Sequence, residues 1–246
     1  MKIVIVGATS AIAEHCCRLW AAEGPVEFVL IARDMAKLEK IAADLRVRGP
    51  GVTVSAVKGE FHNPAGIKAI VDQAAASGAI DMALIAHGWL ADQSRSQSDL
   101  SFLNEALQIN TVSPALFAEA FAQHFVTVGR GTLGIIGSVA GDRGRKANYS
   151  YGAAKGFLAR YAEGMDHRFA GTNVKIVLIK PGPTDSPMTA DLKAKGKRVA
   201  STEDVARTIV AGMKAGKPMI YAPPIWRIIM LIVRHIPRFV FNKLSI

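Results

Sequence analysis

The sequence predicts an α/β protein in which alternating strands and helices build one doubly wound parallel sheet. Short β-branched or aliphatic runs recur along the chain, and most of them are followed by a stretch of helical composition. No shift in composition divides the 246 residues, which are enough to bury one sizeable core. We therefore expect a single domain at residues 1–222 and a basic, hydrophobic helical extension at residues 223–246.

Taken in order, the elements follow one another at short intervals. The first half of the sheet is predicted as strands at 2–6, 27–32 and 52–57, with helices at 14–23, 35–46 and 67–76. The second half is predicted as strands at 81–86, 132–136 and 174–179, with one long helical region from about 100 to 125. Ligands of doubly wound sheets bind beyond the carboxyl ends of the strands. The residues that follow each strand are therefore the candidates for a binding site.

Composition and charge narrow the range of partners. Cys16 and Cys17 are adjacent and give no framework for disulfides, which favours a reducing cytoplasm as the location. No group of Cys, His, Asp or Glu has the spacing of metal ligands, so no metal is expected. The net charge of +10 comes almost entirely from residues 192–246, where Glu203 and Asp204 are the only acids. Because no aromatic platform or DNA-binding motif accompanies this basic excess, nucleic acid is not expected as a partner.

The first strand leads through Gly7 into a helix, the context in which backbone N–H groups at a helix N-terminus bind a pyrophosphate. Dinucleotide-binding turns usually carry three glycines. Only the first is present here, and Ala11 and Ala13 occupy the other two places. The residues expected to line the phosphates are Gly7, Thr9, Ser10, Ala11 and Ile12. For this fragment alone, an ordinary strand–helix turn is the alternative.

Arg33 stands at the tip of the second strand. In dinucleotide-binding folds an acidic residue near this place selects NAD, whereas a basic residue accepts the 2′-phosphate of NADP. Arg33 therefore favours NADP(H), without excluding NAD(H). The alternative is that Arg33 pairs with Asp34 or points into solvent.

Tyr151 and Lys155 are four residues apart in a segment of helical composition, which places both on one helical face. An ammonium group about 4–5 Å from a phenol stabilises the phenolate and lowers the pKa of the tyrosine. Ser138 follows the fifth strand, where its hydroxyl can polarise a carbonyl group. A general acid, a neighbouring cation and a hydrogen-bond donor together suit the reduction of a carbonyl group, or the reverse oxidation.

With these motifs the sequence resembles the short-chain dehydrogenase/reductase family over essentially its whole length, which implies a Rossmann-type fold. Asn110, Ser138, Tyr151 and Lys155 match the catalytic tetrad of that family in order and approximate spacing. The resemblance implies that Tyr151 donates the proton and Ser138 holds the carbonyl. It also implies that Lys155 lowers the pKa of the tyrosine and binds the nicotinamide ribose, and that Asn110 holds a water molecule in the proton relay.

The resemblance also implies further residues in contact with the cofactor and an oligomeric assembly. Residues 86–88 stand in the place of the family's Asn-Ala-Gly turn, residues 181–186 resemble its nicotinamide-orienting segment, and Glu60 stands near the expected adenine. The added cofactor residues are Glu60, Ala86, Gly88, Pro181, Thr184 and Ser186. Members of the family pair through two long helices, here about residues 103–125 and 149–169, so a homodimer or homotetramer is expected.

A narrower resemblance concerns the substrate. Residues 8–13, residues 141–145 and the basic C-terminus are similar to reductases that act on a 2-keto pentose carried on polyprenyl phosphate. Arg143 and Arg145 lie between Ser138 and Tyr151 and are candidates for an anion site near the reacting carbonyl. The alternative is that they are solvated loop charges, or that one of them supports the fold through Asp142. A reductase of small lipophilic ketones and a non-catalytic dinucleotide sensor or scaffold are the competing functions.

The C-terminal extension combines apolar residues with the cations Arg227, Arg234, Arg238 and Lys243. Its longest apolar run, residues 228–233, is far shorter than the roughly 20 residues that span a bilayer. A helix of this kind suits peripheral attachment to a membrane surface, here the inner face of the cytoplasmic membrane. The alternative is that these residues cover the protein's own core or a subunit interface.

Overall fold

The computed structural model describes residues 1–194 and 196–244, so the last two residues of the predicted extension lie outside it. Its strands are β1 (Lys2–Val6), β2 (Val26–Ala32), β3 (Val52–Lys58), β4 (Met82–Ile85), β5 (Gly131–Ile136), β6 (Val174–Pro181) and β7 (Met219–Ala222). All neighbouring pairs are parallel, in the order β3-β2-β1-β4-β5-β6-β7. The predicted doubly wound parallel sheet is confirmed.

Helices connect the strands and cover both faces of the sheet. Several of them begin at side-chain caps: for example, Asp34 accepts a hydrogen bond from the Lys37 backbone N–H at 3.0 Å, and Asn63 accepts one from the Ala65 backbone N–H at 2.9 Å. The helices are α1 (Ala11–Glu23), α2 (Met35–Arg46), α3 (Pro64–Ala75), α4 (Gln93–Ser98), α5 (Leu100–Leu107), α6 (Ser113–Val128), α7 (Tyr149–Arg168), α8 (Ala190–Ala194), α9 (Thr202–Lys214), α10 (Trp226–His235) and α11 (Arg238–Phe241).

The sheet is buried on both faces, which is why its central strands are nearly continuous apolar runs rather than alternating ones. On one face, α1, α2 and α9 pack around fully buried Trp20 and Phe28. On the other face, α3, α6 and α7 pack around fully buried Phe117 and Phe121. With helices on both faces, the carboxyl edge of the sheet is left for ligands.

Several elements differ from the sequence prediction, and helices α4, α8 and α9 were not part of it. The long helix predicted at about 100–125 is interrupted by a π-helical turn, Gln108–Val112, between α5 and α6. The short edge strand β7 was absent from the prediction, and its four residues pair with β6. Beyond β7 the chain continues into α10 and α11, which form the extension from residue 223 onwards.

The helices expected to pair subunits are already packed within the chain. Ala106, Ala118 and Ala162, which are small enough for close contact between subunits, are at most 4% exposed. Their burial within one chain accounts for their size, and oligomerisation stays a prediction. In the part of the chain that the structure describes, no helix is long and apolar enough to cross a membrane.

Candidate active site

A cavity of about 910 Å³ extends along the carboxyl ends of the strands, from the turn after β1 to the segment after β6. It brings together most of the residues that the sequence singled out. Those that line it are Gly7, Thr9, Ser10, Ala11, Ile12, Arg33, Ala86, Gly88, Ser138, Arg145, Tyr151, Lys155, Pro181, Thr184 and Ser186. The residues that follow the strands, where ligands of doubly wound sheets are expected, therefore line one continuous cavity.

The turn after β1 depends on Gly7. Its φ angle is +79°, and a Cβ atom there would lie 2.5 Å from the backbone nitrogen of His87. A side chain at this position is excluded both by conformation and by the close approach of the turn after β4. Ala11 begins α1 with a negative φ, and no comparable restriction applies to it. One glycine is therefore enough for the turn that presents the N-terminus of α1 to the cavity.

The far end of the cavity is cationic. Arg33 is exposed at the end of β2, and Asp34 uses its carboxylate to cap α2 instead of pairing with Arg33. Lys37 also lines the cavity, and its Nζ donates to the carbonyl oxygen of Thr9 at 3.0 Å. The turn after β1, the N-terminus of α1 and these two cations fit the phosphates of a dinucleotide.

Ser138 and Tyr151 meet because the turn after β5 packs directly on α7. At Gly141, a Cβ atom would lie 2.6 Å from the backbone carbon of Lys155, so only glycine allows this approach. Ser138 begins the 3₁₀ turn Val139–Asp142, where its hydroxyl accepts a hydrogen bond from the Ala140 backbone N–H at 3.1 Å, and it lines the cavity together with Tyr151. Burial raises the pKa of Tyr151 to about 12, although the side chain of Ser138 opposes that rise.

Lys155 lies beside Tyr151 and is 2% exposed. Its Nζ is 5.7 Å from the centroid of the Tyr151 ring and donates to the carbonyl oxygen of Ile136 at 2.9 Å. Burial lowers the pKa of Lys155 to about 8. The sequence predicts a lowered tyrosine pKa, and the structure gives a raised one, because burial disfavours the charged phenolate.

Asn110 lies behind the cavity in the π-helical turn and does not line it. Its Nδ2 donates to the carbonyl oxygens of Trp89 and Ala106, both at 2.8 Å, and its Oδ1 accepts from the Trp89 backbone N–H at 2.9 Å. The side chain therefore holds the loop after β4, including Gly88, against α5. The water-holding role implied by the family resemblance stays a prediction.

Two predicted site residues lie elsewhere. Glu60 accepts hydrogen bonds from the backbone of His62 and Asn63, and its carboxylate therefore faces the start of α3 rather than the cavity. Arg143 points away from the cavity and donates to backbone carbonyls at the C-terminal end of α10. Arg143 is therefore not part of the cavity lining, in contrast to the sequence prediction.

The chain matches the protein family described as short chain dehydrogenase over residues 1–197. The chain belongs to this family. Among curated relatives, an uncharacterized oxidoreductase of Mycobacterium tuberculosis is 31% identical over 98% of this chain and 96% of its own length. A cis-4-hydroxycyclohexanecarboxylate dehydrogenase of Sinomonas cyclohexanicum is 26% identical over 84% of this chain and 86% of its own length.

Solved structures agree with this placement at the level of the fold. A short-chain dehydrogenase from Sphingobium yanoikuyae, in complex with NADPH, superposes with a TM-score of 0.82 at 22% identity and covers 96% of both chains. A levodione reductase superposes with a TM-score of 0.81 at 20% identity and covers 89% of this chain and 93% of its own. The protein is thus an oxidoreductase of the short-chain dehydrogenase type.

Several residues that line the cavity of this short-chain dehydrogenase were not predicted from the sequence. Phe61 and His62 line the cavity where Glu60 was predicted to do so. All three residues follow β3, so their position after a strand does not distinguish them. Trp226 is the first residue of α10, and its indole ring packs against Gly182 in the segment after β6. No sequence signal connects Trp226 with the site, because its partner lies more than 40 residues earlier.

His87 is the most strongly perturbed histidine of the site. Its Nε2 lies 3.0 Å from the Ser113 hydroxyl, and its ring packs edge-on against Phe61 at 4.9 Å. Burial, with a smaller contribution from the charge of Lys155, lowers the pKa of His87 to about 3. A histidine that stays neutral and is packed among aromatic rings supports the turn after β4 rather than transferring protons at neutral pH.

Arg145 is the one of the two candidate anion-binding arginines that reaches the cavity. Its side chain lies with Asn148 and Tyr151 along the lining. Its buried Nε has no hydrogen-bond partner among the described residues. Burial lowers the pKa of this guanidinium, against the opposing effect of the Asp142 carboxylate.

Proposed function

We propose that this protein is an NADP(H)-dependent oxidoreductase that reduces a ketone to a secondary alcohol, or catalyses the reverse reaction, with Tyr151 as the general acid or base. The observation that carries this proposal is that Ser138 and Tyr151 line one cavity, with the buried Lys155 ammonium 5.7 Å from the Tyr151 ring. A nicotinamide dinucleotide supplies or accepts the hydride when it is bound in such a site. The turn at Gly7, the start of α1 and the cations Arg33 and Lys37 would hold it.

The side chains have separate tasks in the reduction. Ser138 donates a hydrogen bond to the substrate carbonyl oxygen, and Tyr151 transfers its proton to that oxygen as negative charge develops there. An alkoxide is a much stronger base than a phenolate, so a buried phenol with a pKa of about 12 is still acidic enough to protonate it. The positive charge of Lys155 stabilises the phenolate that remains.

An assay of the purified protein tests the reaction class. NADPH consumption is followed with a panel of ketones that includes neutral, phosphorylated and lipid-linked keto sugars. The proposal expects turnover with at least one of them. Binding of NADPH without turnover of any ketone would support the non-catalytic sensor or scaffold instead.

Cofactor preference gives a separate prediction. Replacing Arg33 by aspartate should weaken NADPH binding about 10- to 150-fold, the effect of losing one charge-assisted contact to the 2′-phosphate, and should leave NADH nearly unchanged. Kd values from fluorescence titration measure both effects. Lys40→Asp is the matched control, because it reverses the charge of another exposed residue near β2 that does not line the cavity. Equal losses for both cofactors would contradict the assignment of Arg33.

We further infer that the substrate carries an anionic group in addition to its ketone. A guanidinium remains charged at neutral pH, and Arg145 lines the same cavity as Tyr151 with a buried donor atom unsatisfied among the described residues. An anion from the substrate would satisfy that donor. The relative from Sinomonas cyclohexanicum is named for a substrate that is both a secondary alcohol and a carboxylate. The resemblance to reductases of a polyprenyl-phosphate-linked 2-keto pentose supports a phosphate as the other choice.

The anionic subsite is tested by Arg145→Gln. KM for an anionic ketone should rise about tenfold or more, because a charge-assisted hydrogen bond is lost, whereas KM for its neutral analogue should stay the same. Suitable pairs are 4-oxocyclohexanecarboxylate with its amide, and a ketose phosphate with the free ketose. Lys146→Gln removes one positive charge from the adjacent position, which is exposed and outside the cavity, and serves as control. Equal effects on charged and neutral ketones would contradict an anionic subsite at Arg145.

A further inference from the structure

The C-terminal extension presents an apolar surface to solvent. Ile225, which caps α10, and Ile228, Leu231 and Ile232 on α10 are between 55% and 62% exposed, and on α11 Phe239 is 72% exposed. Residues three and four apart lie on one side of a helix, so the first four side chains form one stripe. We call these five residues the outer face.

The opposite side of the extension is fixed to the protein. Met230 is 1% exposed, and Trp226 packs against Gly182. Arg143 donates to the carbonyl oxygens of Val233 and Ile236 at 2.6 and 2.7 Å, and its guanidinium lies 3.8 Å from the centroid of the Phe241 ring. These contacts keep α10 and α11 in place, so the outer face cannot turn inward without breaking them. Exposure of the outer face is therefore a property of the folded chain.

Cations lie beside the outer face, and the extension itself has no Asp or Glu side chain. Arg227, Arg234, Arg238 and Lys243 are exposed, and no acidic residue follows Asp204 in the sequence. In a two-fold contact between copies of the chain, the same patch meets itself. Such a contact would bring these cations together without any carboxylate of the extension to neutralise them. The charge distribution therefore favours an anionic partner over a second copy.

We propose that the outer face docks on the surface of an anionic lipid bilayer. The ten residues of α10 are about half the number needed to span a bilayer, so the helix lies in the interface with its isoleucines and leucine among the acyl chains. The cations then face the headgroups, and each is expected to strengthen binding about fivefold. This inference is independent of the proposed reaction.

Docking in this orientation involves the catalytic cavity. Trp226 belongs both to α10 and to the lining of the cavity, so the helix that contacts the lipid starts at the site itself. Arg198 also lines the cavity and is exposed, which adds positive charge to its rim. A substrate that is held in the membrane by an acyl or prenyl chain would meet the cavity without leaving the interface.

Vesicle sedimentation with the full-length protein tests the proposal. The probe is a vesicle of phosphatidylglycerol and phosphatidylcholine in equal amounts, compared with a vesicle of phosphatidylcholine alone. The wild type should pellet with the anionic vesicles, and raising the salt from 0.05 to about 0.5 M should release it, because ionic attraction is screened. Arg227→Gln/Arg234→Gln should weaken binding about 30-fold. Ile228→Ser/Ile232→Ser should weaken it at least as much, since two buried apolar side chains are lost.

Matched variants separate docking from general surface effects. Val47→Ser/Val126→Ser removes two apolar side chains that are 83% and 55% exposed elsewhere on the protein. Arg160→Gln/Arg207→Gln removes two exposed cations from α7 and α9. Neither control should change vesicle binding. The proposal is overturned if the wild type stays in the supernatant with anionic vesicles, or if Ile228→Ser/Ile232→Ser dissociates a dimer in sedimentation velocity and leaves vesicle binding intact.

Discussion

Replacing Tyr151 by phenylalanine is expected to lower kcat for ketone reduction at least about 100-fold, because a positioned proton donor contributes roughly 10²–10⁴ to such a step. The ring still fills its place against Lys155, and Ser138 still follows β5, so the cavity should keep its shape. NADPH should therefore bind with a Kd within about threefold of the wild type. Stopped-flow or steady-state assays at saturating NADPH measure kcat, and fluorescence titration measures the Kd.

Tyr149→Phe provides the control, since Tyr149 lies two residues earlier on the same helix and is exposed. It should retain wild-type kcat. Because the pKa of Tyr151 is about 12, its phenol stays protonated between pH 7 and pH 9, and its titration should not lower the rate of reduction in that range. More than a tenth of the wild-type kcat in Tyr151→Phe would mean that another group donates the proton.

The second large effect is expected on stability. Asp142→Asn should lower the free energy of unfolding by about 3–5 kcal/mol, the usual cost of removing one partner from a buried ion pair. The side chains of Lys180 and Asp142 are only 5% and 3% exposed and form a salt bridge between β6 and the turn after β5. Without the carboxylate, the ammonium group of Lys180 remains buried beside a neutral amide. Urea unfolding at pH 7, followed by circular dichroism, measures the change.

Two further variants identify the cause of that loss. Asp142→Asn/Lys180→Met removes both charges and should recover most of the lost stability, since the uncompensated ammonium is gone. Tyr221→Phe removes only the hydrogen bond that the Tyr221 hydroxyl donates to Asp142 at 2.8 Å, and should cost about 1 kcal/mol. A loss below about 1 kcal/mol in Asp142→Asn would show that water, rather than the carboxylate, compensates the charge of Lys180.

Local patterns predicted the sheet and most of its connections. Helix α2 has the predicted bounds, because Asp34 caps its start and apolar residues spaced three and four apart form its buried face. The π-helical interruption at Asn110 could not be predicted from local sequence, because Asn110 forms hydrogen bonds with Trp89 on another loop. Strand β7 has four residues between Pro218 and Pro223, too few for a period to be read from sequence.

The same distinction applies to the candidate site, where local patterns predict positions at strand ends but not the directions of side chains. Gly7, Arg33 and Ser138 follow strands in the sequence, and in the structure they line one cavity, because topology alone brings strand ends to one edge of the sheet. The direction in which a side chain points could not be predicted from the local sequence. Arg143 and Arg145 are two residues apart, yet one contacts α10 and the other lines the cavity, because the partner of Arg143 lies 90 residues further along the chain.

The bonds from Arg143 to the end of α10 have a thermodynamic consequence. Arg143 lies between Ser138 and Tyr151 in the sequence, in the loop that closes one side of the cavity. It binds carbonyls at the negative end of the α10 dipole, where a cation is stabilising. Free-energy coupling between two sites is reciprocal. Any ligand that orders this loop must therefore make α10 harder to detach, and anything that holds α10 must favour the ordered loop by the same amount.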